Sequence, residues 1–205
     1  RTQCVTYNDG AFPQMFLIIT EWAHDAADRI YRAIVASTEG QKTLKPILRP
    51  YDTLGSTRYV NFDTTRNTFA TRADKCHVSH VVADTESWEQ KLAQTLEDMP
   101  EVIRYVKNQN LDFTIPYTLD GEERQYTPDF ILHVNDEHGR DDLLNLIIEV
   151  SGEARKDKAA KVATARTLWI PAINNYNHYG RWAFLEISDP WDAQNTIRAT
   201  LQSSA

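Results

Sequence analysis

The chain of 205 residues is 41% apolar and 25% charged, which suits one sizeable domain, alone or with a small appended subdomain, folding without staples or metals. Its formal net charge of −7 argues against a protein that coats nucleic acid through clustered Lys and Arg, but it leaves nucleic-acid enzymes open, since carboxylates that hold divalent metals are themselves acidic. No apolar run reaches membrane-spanning length, and Cys4 and Cys76 make neither a metal spacing nor a disulfide framework, so a cytoplasmic protein without membrane contact is expected.

The chain opens at Arg1 with no leader pattern, as expected for a piece of a longer polypeptide. In "FPQMFLIITEWAHDAADRIYRAIV", Phe16, Ile19, Ala23, Ala26, Ile30 and Ile34 recur at three- and four-residue steps, which predicts an amphipathic helix. Gly40, Pro46 and Pro50 mark a connector, and the Thr-, Val- and aromatic-rich "STRYVNFDTTRNTFATRADKCHVSHVVAD" predicts two or three short strands. Residues 1–80 thus read as an accessory or linking region and residues 81–205 as the main domain.

Ser87 and Gln90 have the form of a capping box, after which Trp88, Leu92, Leu96, Met99, Ile103 and Val106 mark one helical face, kinked or restarted at Pro100. "LDFTIPYTLDGEERQYTPDFILHV" alternates through Leu111, Phe113 and Ile115 and turns at Asp120-Gly121, a hairpin signal. Beyond the polar "NDEHGRDD" come the buried strand "LLNLIIEV", a helix from about Glu153 to Trp169, the strand "RWAFLEI" and a last helix from about Trp191 to Leu201. The expected fold is α/β: a mixed four-stranded sheet flanked by helices in the order α-β-β-β-α-β, with the helix after "LLNLIIEV" as a right-handed crossover.

Two acids stand out because carboxylates are costly inside strands: Asp129 in "TPDF" and Glu149 in "IIEV". A hairpin between their strands would set them side by side as a hard oxygen site, which suits Mg²⁺ with waters and phosphate oxygens and points to phosphodiester hydrolysis. Glu89, one residue beyond the inward Trp88, could lean over the same edge as a third acid or simply complement the helix N-terminus.

"TPDF" followed by "IIEVSG", in this order of elements, resembles the PD-(D/E)xK nuclease superfamily. More narrowly, "LNLIIEVSGEARKDKAAKVATARTLWIPAINN" and "YGRWAFLEI" resemble the C-terminal endonuclease region of type III restriction enzyme Res subunits, densest from about Trp88 to Ile187. The resemblance implies a restriction-endonuclease-like core over residues 81–205, a Mg²⁺ cofactor and double-stranded DNA as substrate. It also implies a helicase motor on the same longer polypeptide and a methyltransferase (Mod) partner subunit. No GxxxxGK[ST] occurs, so ATP hydrolysis is not expected of these residues. Carried over, the metal-holding acids are Asp129, Glu149 and Glu89. The motif lysine is replaced by Ser151, and Lys161 on the following helix is the expected substitute, ahead of Lys158 and Lys156; a solvated helix face is the alternative reading of that lysine row.

Elsewhere, Cys76, His77 and His80 lack a second ligand pair and read as a strand rather than a zinc site. The loop "NNYNHYGRW" offers Arg181 and Asn174 as DNA contacts, or packs on Trp169 and Trp182 without a ligand. No Ser or Cys triad declares itself. The expected function is a Mg²⁺-dependent endonuclease of restriction type. Its rivals are a nuclease-fold module that only binds DNA or docks subunits, and a nuclease of another defence or repair system.

Overall fold

Asp120 and Gly121 both adopt positive φ, 53° and 79°, the left-handed pair that a two-residue hairpin turn needs and that Asp and Gly adopt at low cost. The structure, a computed structural model, describes residues 23–27, 29–31, 44–46, 55–83, 88–151 and 157–204. In chain order these form β1 (Thr68–Ala70), β2 (His80–Val82), α1 (Trp88–Asp98), β3 (Val102–Lys107), β4 (Ile115–Leu119), β5 (Glu122–Tyr126), β6 (Phe130–Val134) and β7 (Leu144–Val150). Then follow α2 (Lys158–Thr164), a π turn (Ala165–Trp169), α3 (Ile170–Tyr176), β8 (Arg181–Ile187) and α4 (Ala193–Ser204).

The fold is mixed α/β around a four-stranded sheet ordered β3-β6-β7-β8. β3 and β6 pair antiparallel, as do β6 and β7, while β7 and β8 run parallel through the helical crossover. Four strands and the crossover match expectation, but the first strand differs. A helical face, kinked or restarted at Pro100, was expected to run on through Ile103 and Val106, yet α1 ends at Asp98 and Val102–Lys107 is the edge strand β3. Pro100 supplies no N–H to continue the helix, and the β-branched Val102, Ile103 and Val106 favour the extended backbone. With that edge taken, the β4–β5 hairpin forms a separate two-stranded sheet. The crossover helix runs past the expected end at Trp169 to Tyr176, through a π turn directly before Pro171, where a missing proline N–H is best absorbed by a widened turn.

Strand alternation divides the core between the two faces of the sheet. Leu146 and Ile148 point with Leu92, Leu96, Phe130 and Ile197 into the layer under α1 and α4. Ile147 points the other way, onto Ile115, Tyr117, Tyr126 and Ala165 of the hairpin and crossover. Phe113, Trp169 and Trp182 close the margin of that second layer, with ring centroids 5.3–5.7 Å apart, which is the packing reading of the aromatic loop. Leu146 is fully buried, so Leu146→Ala should cost about 2–5 kcal/mol in urea unfolding; a loss under 1 kcal/mol would contradict its place in the core.

The chain divides into two compact units, Arg1–Thr43 and Leu44–Ala205. β1 and β2 belong with the larger unit because Cys76 and Val81 lie in its core and buried Glu97 accepts hydrogen bonds from the Tyr105 hydroxyl and the Arg72 N–H, both at 2.8 Å. In the smaller unit residues 23–27 and 29–31 are helical, with an Asp25–Arg29 ion pair. The rest of the expected first helix, most of the connector, Cys4 and the capping residue Ser87 lie outside the described residues. Among the described residues no helix is long and apolar enough to cross a membrane.

Candidate functional site

The β6–β7 register pairs Phe130 with Ile148, and one further step sets Asp129 across from Glu149 on the face shared with Ile147. Buried Asn108 fixes the approach to Asp129: its side-chain amide donates to the carbonyls of Pro128 at 2.9 Å and Phe113 at 2.7 Å, and its N–H donates to the Asp129 carbonyl at 2.8 Å. The Asp129 carboxylate then accepts the Val150 N–H at 2.7 Å, and Glu149 Oε2 accepts the Tyr126 hydroxyl at 2.7 Å.

Both carboxyls hold their protons more tightly than usual. Burial is the main cause for Asp129, which is pushed up to about 6 against the pull of the Val150 N–H. Burial also leads for Glu149, followed by the charge of Asp129, and pushes it up to about 7. Two like charges side by side in a desolvated site repel, so the pair is short of positive charge. The hydroxyl of Tyr126 is pushed far up by burial and then by Glu149, so it remains a donor.

The nearby cations are committed to other acids. Glu89, expected as a third metal ligand, is turned onto Lys107 at 2.5 Å, and Lys107 also donates to the Val82 carbonyl at 2.6 Å. Among the described residues no group of three or more His, Cys, Asp or Glu side chains is arranged to hold a metal. Lys161 pairs with Asp157 at 2.7 Å, and its charge reaches Glu149, partly offsetting the rise there. Lys158 instead pairs with Glu186 at 2.8 Å, and Lys156 lies outside the described residues. Ser151 is 6% exposed; its hydroxyl has no well-aligned hydrogen-bond partner, although it adds to Lys158 in lowering the Glu186 carboxyl.

The two expected DNA contacts are occupied at the far end of the sheet. Arg181 is opposite Leu144 in register, five residues from Glu149 or about 16 Å along the strand. It makes a bidentate pair with Asp136 at 2.6 and 2.8 Å and a further bond to Asp142 at 2.9 Å. Asn174 bonds both the N–H and the carbonyl of Trp182. Cys76 is buried, its thiol pushed up by that burial, while His77 bonds Thr57 and His80 bonds Ser79.

Three participants escaped sequence reasoning. Glu186 carried the same signal as Glu149, an acid in the apolar strand "RWAFLEI", and lies opposite Glu149 in register. Tyr126 and Lys107 gave no signal, because an aromatic or a lysine at a strand end is ordinary.

The YagJ family profile matches residues 74–186, more than half of the chain. No curated protein matches. A solved Vibrio cholerae structure, "Crystal structure of protein VC1899", is 16% identical over 57% of this chain and 32% of that one, with a TM-score of 0.22. At that score the likeness carries no argument, and the chain spans about a third of that protein's length. The family match covers α1, the four strands of the sheet save the last residue of β8, and both acids of the pair: the chain belongs to the YagJ family.

Proposed function

We propose that the Asp129–Glu149 pair is the centre of a Mg²⁺-dependent phosphodiesterase of nuclease type, acting on DNA. The observation that carries this reading is the placing of two half-buried carboxylates across paired strands, both with raised pKa, while the nearby lysines serve other acids. Such a pair is destabilised by its own charge, and a divalent cation is the partner that relieves it; the donor set of two carboxylates plus waters fits Mg²⁺. A nuclease core of restriction-endonuclease type is supported by the order of helix, three strands of the main sheet (β3, β6 and β7), helix and strand, with the β4–β5 hairpin inserted, and by the PD-(D/E)xK-like character of the family. The narrower likeness to type III Res subunits rests on sequence segments and adds a motor domain and a Mod subunit as proposed partners.

Asp129 and Glu149 would hold the ion, with Asp129 fixed by the Val150 N–H and Glu149 by the Tyr126 hydroxyl. Bound there, Mg²⁺ would supply Lewis acidity and a water of lowered pKa. Lys161 supplies the cation that Ser151 lacks: released from Asp157 by a phosphate group, its ammonium neutralises charge developing on the scissile phosphodiester. Glu89 stays with Lys107 and tunes Asp129 by its charge.

Titrating the chain with Mn²⁺ by calorimetry should show one site, lost on Asp129→Asn. Incubation with plasmid DNA and Mg²⁺ should give nicking that the same substitution abolishes. A wild-type chain that binds no Mn²⁺ would sink the reading. The specific observation favouring the second reading, a module that binds without cutting, is the buried Ser151 at the motif position; Mn²⁺ binding without cleavage even beside its motor and partner subunits would favour it.

A further inference from the structure

We infer that the β4–β5 hairpin, which lies outside the four-stranded sheet, is a positioning element for the carboxylate–lysine site, with Tyr126 as its working residue; the inference rests on the proposed metal site. Tyr126 ends β5, is 2% exposed, and reaches across to donate its hydroxyl to Glu149 Oε2 at 2.7 Å. Its ring also serves a second group. Lys161 Nζ sits 5.9 Å from the Tyr126 ring centroid and 5.8 Å from that of Tyr117 on β4, within the range of attraction between an ammonium and an aromatic face. Tyr117 and Tyr126 are both buried in the layer that carries Ile147. Since β4 and β5 pair Tyr117 with Arg124 and Ile115 with Tyr126, the two tyrosines are two residues apart along the hairpin and share a face.

The hairpin thereby holds a carboxylate by one hydrogen bond and an ammonium by two ring faces. These groups come from different elements: Glu149 from β7 and Lys161 from α2. A hydrogen bond donated to a ligating carboxylate fixes its rotamer and leaves the other oxygen free, and losing such a partner typically weakens metal binding about 10–100-fold. The ring faces hold Lys161 near Glu149 alongside its ion pair with Asp157, the partner that a substrate phosphate would displace.

Tyr126→Phe separates the two functions, because it keeps the ring and removes only the hydroxyl. Mn²⁺ titration of wild type and Tyr126→Phe should show affinity falling about 10-fold or more, with the melting temperature of the metal-free protein kept within a few degrees. Tyr117→Phe, which keeps its ring, should bind Mn²⁺ like wild type. The ring contact is read by NMR: the Lys161 ε-methylene, assigned by its loss in Lys161→Arg, should be shifted upfield in wild type and in Tyr126→Phe, and return towards the random-coil position in Tyr126→Leu. Wild-type Mn²⁺ affinity in Tyr126→Phe, or a Lys161 methylene at the random-coil position in wild type, would overturn the inference while leaving the metal site standing. Failure of the wild type itself to bind Mn²⁺ would overturn both.

Discussion

Asp129→Asn is expected to end DNA cleavage and, at pH 8 without metal, to make the protein more stable than wild type. Asp129 and Glu149 are raised in the folded state from ordinary carboxyl values of 3.8 and 4.5 to about 6 and about 7. Between about pH 4 and 7 the folded chain therefore binds more protons than the unfolded one, and this pair's contribution to stability falls as pH rises through that window. Asparagine removes one of the two charges yet still presents a carbonyl oxygen to the Val150 N–H, which now bonds Asp129 Oδ2. Melting curves should then fall less steeply from pH 5 to 8 for the variant, with a gain of about 1–3 kcal/mol at pH 8. Mn²⁺ at about 100 times its dissociation constant should restore about 2.7 kcal/mol to wild type and nothing to the variant. A wild type equally stable at pH 5 and 8, together with a destabilised variant, would remove the electrostatic basis of the proposed site.

Most of what positions that pair was legible in the residues. "LLNLIIEV" and "RWAFLEI" are apolar runs bounded by polar loops, and they form β7 and β8 within a residue of expectation. Asp120-Gly121 fixed its hairpin because only particular residues tolerate two successive left-handed positions. Residues 99–107 misled because Met99, Ile103 and Val106 satisfy a helical spacing as well as a strand, and short apolar runs do not distinguish the two; Pro100 was the better guide. That one ambiguity decided which strands enter the sheet and left the hairpin free to reach Glu149. Asp129 and Glu149 could be found because acids are rare in strands. Which cation serves which acid could not, since the pairs Glu89–Lys107, Asp157–Lys161 and Glu186–Lys158 depend on register and helix rotation that periodicity does not fix.

Lys161→Ala should slow cleavage about 10²–10³-fold, the usual loss when one preorganised charge at a reacting phosphate is removed. Its present partner Asp157 is a partly exposed neighbour one helical turn away, so losing that pair should leave the melting temperature little changed. A defect in cutting without a defect in folding is therefore the expected signature. Lys158→Ala provides the contrast, because Lys158 serves Glu186, and its cleavage rate should stay within a few-fold of wild type. Ser151 lies two residues beyond Glu149, beside Glu186, with its hydroxyl poorly bonded. A lysine introduced there would find acids on both sides to offset its desolvation, so Ser151→Lys should restore part of the activity lost in Lys161→Ala. DNA affinity should change little across these variants, since the effect lies in the transition state rather than in binding. Cleavage by Lys161→Ala at the wild-type rate would transfer the role of the missing motif lysine away from the crossover helix, leaving Lys107, already close enough to act on Asp129, as the next cation to test.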